Sequence, residues 1–141
     1  MDVKSAVSRF YYDMTLSELR RMHKRGVRPN ISYNSLLYLD LIDLIPDCTA
    51  SRLAEILHVS KPAVTIKVNE LEKLGLIEKS RSATDKRVFY LRVNGPLVEE
   101  YRAYDESLRR ALAAIQEKYS QSDIDVFCKV LTAFSEEYME K

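Results

Sequence analysis

The chain has 141 residues, 46% hydrophobic and 30% charged, with only three Gly and four Pro. That length suffices for one domain with a real core, and the shortage of turn residues argues for long helices and against a sandwich or barrel. The net charge of +1 hides an asymmetry: eight Lys/Arg face four Asp/Glu over 61–92, but six face ten over 95–141, so only the middle is suited to meet a polyanion.

Residues 3–25 read as a first helix. Val3, Val7, Phe10 and Met14 recur at helical steps, Arg20, Arg21, Lys24 and Arg25 crowd the end where cations complement the dipole, and Gly26 with Pro29 supplies the stop. Ser32 is placed to cap a second helix that runs to Ile45 and ends before Pro46. Its run LLYLDLIDLI is apolar on more than one face, which implies a central position. The run is too short for a bilayer and carries Asp40 and Asp43. The opening MDVKSAVSRFYYDM lacks the apolar core of a signal peptide, so a soluble cytoplasmic protein with no membrane partner is expected.

Thr49 caps a third helix with Leu53, Ile56 and Leu57 as its buried face. A break at His58-Val59 follows, and Ser60 caps a fourth helix that tolerates Pro62 in its first turn. Val64, Val68 and Leu71 form the inward stripe of that helix, and Gly75 stops it. Two short strands are predicted at 76–79 and 87–93, around a polar loop at 81–86 with Thr84-Asp85 at its turn. Gly95-Pro96 opens a long helix with Val98, Tyr101, Leu108, Leu112 and Ile115 on its apolar side. Ser120 and Asp123 form a variant capping box for a last helix bearing Ile124, Phe127, Leu131 and Phe134. The outer helices hold more apolar surface than a small core can use, which favours pairing of two copies.

Helix, turn, helix and basic hairpin in that order form a winged helix-turn-helix, which lays one helix in the DNA major groove. The outward arc of the fourth helix is Pro62, Thr65, Ile66, Asn69 and Lys73, with Ser60, Lys61 and Ala63 at the N-terminal end, where free N–H groups attract phosphate. Thr65 and Asn69 carry groups for base edges, and Ile66 suits a thymine methyl. Lys67 is expected to lay its stem over the core and lift its amine toward phosphate. Arg81, Lys86 and Arg87 sit on a hairpin tip that reaches toward a minor groove.

The segment LAEILHVSKPAVTIKVNELEKLGLIEK, followed by Asp85-Lys86-Arg87, resembles the MarR-type winged-helix transcription regulators, and the flanking helices fit as well. The resemblance implies a mainly α fold with a small β-hairpin wing. It implies one domain over 1–141, with dimerisation helices at 1–30 and 95–141 and a DNA-binding lobe at 31–94. It makes Arg87 the minor-groove residue, oriented by Asp85 through an ion pair. It further implies a homodimeric repressor on a near-palindromic double-stranded operator, released by a small-molecule effector in a crevice that Tyr11, Tyr12, Tyr33 and Tyr38 would line. This chain departs from the family pattern at Ile66 and Glu70, where many relatives carry basic residues, at Lys67, where relatives often carry an aliphatic one, and over RVNGPLVEE.

Other chemistries find little support. Cys48 and Cys128 make no disulfide framework and are expected to be buried or idle thiols, and His23 and His58 lie too far apart for zinc-ligand spacing. No metal or cofactor is expected. There is no phosphate loop or nucleophile elbow, so the chain does not read as an enzyme. His58 reads as a packing or backbone-bonding residue. A rival from another class stays open: a winged helix that serves as a protein-interaction or dimerisation module without DNA.

Overall fold

The computed structural model describes residues 1–24 and 31–139, with side chains described over 1–20, 31–95 and 106–139. The expected helix stop at Arg25, Gly26 and Pro29 lies outside the described residues. In order, the elements are α1 (Val3–Lys24), α2 (Tyr33–Leu44), α3 (Ala50–Leu57), α4 (Lys61–Lys73), β1 (Ile77–Arg81), β2 (Phe89–Val93), α5 (Gly95–Lys118) and α6 (Gln121–Tyr138). They fall into two compact units, Met1–Arg92 and Val93–Lys141.

In the first unit, three serine or threonine caps set the helix starts. Ser32, Thr49 and Ser60 each take extended backbone and accept the N–H of the third residue onward, Ser35, Arg52 and Ala63. The ends of α3 and α4 are built alike. His58 at φ 54° and Gly75 at φ 72° adopt the left-handed conformation, so that Val59 N–H reaches Ala54 O and Leu76 N–H reaches Leu71 O. His58 is therefore exposed and contributes its backbone, not packing. Because Leu76 closes the α4 cap, β1 begins one residue later than predicted and runs on to Arg81.

Leu39 and Ile42 of α2, Leu53 and Ala54 of α3, Val64, Val68 and Leu71 of α4, and Leu76, Ile77 and Leu91 of the hairpin are buried. Ile56, expected inside, is exposed, and Ala54 takes its place on the inner face of α3. Through these side chains α3 packs on α4, and α4 on β1. The hairpin is also tied to the α2–α3 junction, where Leu91 N–H donates to the Cys48 carbonyl at 2.8 Å. Cys48 itself is 1% exposed.

In the second unit, Asn94 caps α5 and Ser120 caps α6. The Ser120–Asp123 capping box is complete: Ser120 Oγ accepts the Asp123 N–H, and Asp123 Oδ2 accepts the Ser120 N–H at 3.2 Å. The apolar stripes are exposed: Leu108, Leu112 and Ile115 on α5, and Phe127, Val130, Leu131 and Phe134 on α6. The side chains of Val98 and Tyr101, expected on the same stripe, lie outside the described residues.

Candidate nucleic-acid interface

The α4 helix is set by its inward stripe. Val64, Val68 and Leu71 are all buried, which turns Lys61, Pro62, Ala63, Thr65, Ile66, Asn69 and Lys73 outward. Ile66 is 71% exposed, a large apolar side chain with nothing of its own unit over it. At the N-terminus, Ser60 satisfies one N–H through its hydroxyl, and the first turn carries no acidic residue. That end therefore offers a positive dipole and N–H groups to an anion. Thr65 folds its hydroxyl back to the Lys61 carbonyl at 2.9 Å.

Lys67 differs from expectation. Its stem does cover the core, with the side chain only 20% exposed, but its amine turns away from the outward arc. It donates to Ser35 Oγ at 3.2 Å and to Glu70 Oε2 at 3.1 Å. Ser35 is itself buried and paired with the Ser32 cap hydroxyl at 3.0 Å. An ammonium has three donors and no acceptor, and a buried hydroxyl beside a carboxylate uses two of them in a site that bulk water reaches poorly. Lys67 thus ties α4 to the start of α2.

The wing is organised around a residue that pattern reading passed over. Ser82, almost fully buried, accepts the N–H groups of Thr84 and Asp85 at 3.3 Å each, and its own N–H donates to the Val88 carbonyl at 2.9 Å. This folds the loop into a compact tip. Asp85 then accepts from the Arg87 backbone N–H at 3.0 Å and from its guanidinium at 3.2 and 3.3 Å. These bonds hold the Asp85 carboxyl below its usual range, the Arg87 guanidinium first and its backbone N–H second. They also explain why β2 begins at Phe89 and not at 87: residues 85–88 form the turn. The Arg87 side chain remains 90% exposed, aimed but uncovered. Lys86 and Arg81 are exposed as well, and Arg81 lies over the Phe89 ring at 5.2 Å, a cation–π contact that stiffens it.

Of the four tyrosines, Tyr11, Tyr12 and Tyr33 are exposed and Tyr38 is half-buried. Tyr33 and Tyr38 lie five residues apart on α2, which places them about 140° apart around the helix axis. Among the described residues no group of His, Cys, Asp or Glu is arranged to hold a metal ion, and no helix is long and apolar enough to cross a membrane. Burial pushes the Cys48 thiol up to about 11, away from reactivity, while Cys128 is exposed.

Comparison with known proteins agrees with this geometry. The MarR family model matches residues 30–88. The transcriptional regulator ZitR of Lactococcus lactis subsp. cremoris is 28% identical over 93 residues, a stretch spanning 64% of this chain and 64% of that protein. Streptococcus pneumoniae FabT, solved in complex with DNA, superposes with a TM-score of 0.68 at 26% identity, covering 96% of this chain and 94% of that one. The adhesin competence repressor AdcR of Streptococcus pyogenes shares the fold at TM-score 0.63 and 18% identity, over 98% of each chain. With its capped helix pair, Asp85–Arg87 wing and long flanking helices, the chain is similar over residues 30–88 to the MarR family of transcription regulators and shares the fold of its solved relatives.

Proposed function

We propose that this protein acts as a homodimer that reads double-stranded DNA and represses transcription, α4 entering the major groove and the wing the flanking minor groove. The observation that carries this reading is the tip of the wing. Arg87 donates two guanidinium bonds and its backbone N–H to Asp85 yet is left 90% exposed, and no internal role explains a charge so held and so uncovered. The acid-free N-terminus of α4 and the outward Lys61, Thr65 and Asn69 support it. So does FabT, a structural relative solved with DNA bound.

Pairing of two copies is supported by the exposed apolar stripes of α5 and α6, and by Val3, Phe10 and Met14 of α1. Two-fold symmetry then calls for a near-palindromic operator with half-sites roughly 34–36 Å apart. A small molecule that altered the separation of the two reading heads would release the DNA, because both must fit one duplex together. Identical head spacing in free, effector-bound and DNA-bound forms would refute that release mechanism. Tyr11, Tyr12, Tyr33 and Tyr38 remain our candidates for the effector site.

The test is fluorescence anisotropy on labelled duplex from the protein's own upstream region, against scrambled duplex, across a salt series. A regulator prefers the upstream duplex and loses affinity steeply with salt, since each phosphate contact releases counterions. Weak binding that ignores both sequence and salt, in this duplex and in wider DNA pools, would overturn the proposal in favour of a protein-interaction module.

A further inference from the structure

The outward face of α4 carries an apolar patch on its N-terminal half. Ile66 is 71% exposed. Pro62 and Ala63, one helical turn before it and so its neighbours on the helix surface, are exposed as well. The polar side chains that adjoin the patch are engaged within the chain. Thr65 donates its hydroxyl proton to the Lys61 carbonyl at 2.9 Å, Asn69 Oδ1 accepts from Lys79 of β1 at 2.7 Å, and Glu70 Oε2 accepts from Lys67 at 3.1 Å. One exposed apolar residue is ordinary, but three that adjoin on one helix face form a surface. That surface has charged surroundings: Lys61 beside it is exposed, and the first turn of α4 carries no acidic residue. A positive rim of this kind complements a polyanion.

We infer that Pro62, Ala63 and Ile66 form a reading surface for the 5-methyl group of thymine, with Ile66 as its principal contact. The inference rests on the proposed entry of α4 into the major groove. Thymine is the one base that presents a methyl group on that edge. Against a guanine or adenine edge, Ile66 would displace water from donors and acceptors without replacing the bonds they lose. Against the methyl group, both apolar surfaces leave water together and no polar group is stripped. The position fits as well, because the N-terminal part of a recognition helix is the part that meets base edges, and Ile66 lies in the second turn of α4. Charge at the rim would draw the duplex in, and the apolar patch would choose among base pairs.

The test begins with selection of a specific duplex by the full-length protein from a pool randomised over about two helical turns. Each thymine of that duplex is then replaced in turn by deoxyuridine, which lacks only the methyl group, and affinity is read by anisotropy for the wild type and for Ile66→Ala. Because Ile66 is exposed, its truncation should leave the thermal midpoint nearly unchanged. In the wild type, one thymine position in each half-site is expected to lose about fourfold in affinity on replacement, the factor for one buried methyl-sized group. In Ile66→Ala that loss should shrink to near none at the same position. The comparison of the two proteins cancels any effect of the methyl group on the duplex itself, which both forms share. At that position 5-methylcytosine should likewise bind the wild type better than cytosine, and bind Ile66→Ala no better. Specific binding in which no thymine methyl matters, or a methyl effect of the same size in Ile66→Ala, would each overturn the inference while leaving the regulator intact. Failure to select any specific duplex would instead remove the DNA-reading proposal, and this inference with it.

Discussion

Arg87 and Cys48 show how differently one side chain can be held in this protein. The Asp85–Arg87 pair is exposed and local, so it adds little to global stability, and its effect lies in aiming a cation. Arg87→Ala is therefore expected to lower affinity for the specific duplex tenfold or more while leaving the thermal midpoint nearly unchanged, as anisotropy and a melting curve would show together. Because the Asp85 carboxyl in the folded state has its pKa held below the ordinary value of 3.8, the pair persists above that value and is lost as pH falls through the lowered one. The Arg87 Nε–H resonance should hold its position through mild acid and move only below the ordinary carboxylate range. Cys48 behaves in the opposite sense. Its thiol is raised from 9.0 to about 11 by burial, so its share of stability is complete below pH 9.0 and declines as pH rises toward 11. Between those limits the wild type should lose on the order of 2 kcal/mol relative to Cys48→Ala, measured by urea unfolding at paired pH values.

At the scale of elements, α4 is fixed in two directions, and each fixing residue comes from elsewhere in the chain. Lys67 joins it to the Ser32–Ser35 cap of α2, and Lys79 joins it to the wing. If Lys67 served as a phosphate contact, Lys67→Met would reduce the salt slope of DNA binding by about one. As an internal tie, it should leave the slope unchanged and lower stability instead. Ser35→Ala and Lys67→Met should then prove non-additive, with a coupling of about 0.5–3 kcal/mol in a double-mutant cycle. Additive effects would show that the bond contributes nothing. In the wing, Ser82→Ala removes the acceptor for two backbone N–H groups and the anchor of the tip. It should cost about 1 kcal/mol and weaken specific binding nearly as far as Arg87→Ala, because an untethered arginine must be ordered at the moment of binding.

For the whole molecule, the unanswered surface is apolar. Phe127 and Leu131 of α6 are exposed in the single chain, so Leu131→Glu would be nearly neutral for a protein that stays alone. In a dimer that buries this stripe it places an unpaired charge in an apolar interface. Sedimentation is expected to show a dimeric wild type and a monomeric Leu131→Glu, with DNA affinity falling by orders of magnitude once the two heads bind separately. A wild type that sediments as a monomer at micromolar concentration would refute the pairing.

The local code of the chain determined its architecture. Cap residues, helical stripes, the Gly75 stop and the alternating Phe89–Val93 strand act over three or four residues, which is the range a pattern can express. The winged helix-turn-helix and its Asp85–Arg87 wing were legible for that reason. Contacts between side chains distant in sequence carry no such period. That Lys67 turns to Ser35 over a separation of 32 residues, that Lys79 donates to Asn69, that Ala54 and not Ile56 faces the core, and that Ser82 is the hub of the wing were decided by packing. A basic residue on a helix reads identically whether its amine meets phosphate or an internal hydroxyl. Only the tertiary structure, by bringing a donor-only group against a particular acceptor, settled which of the cations are held inside the protein and which are left exposed.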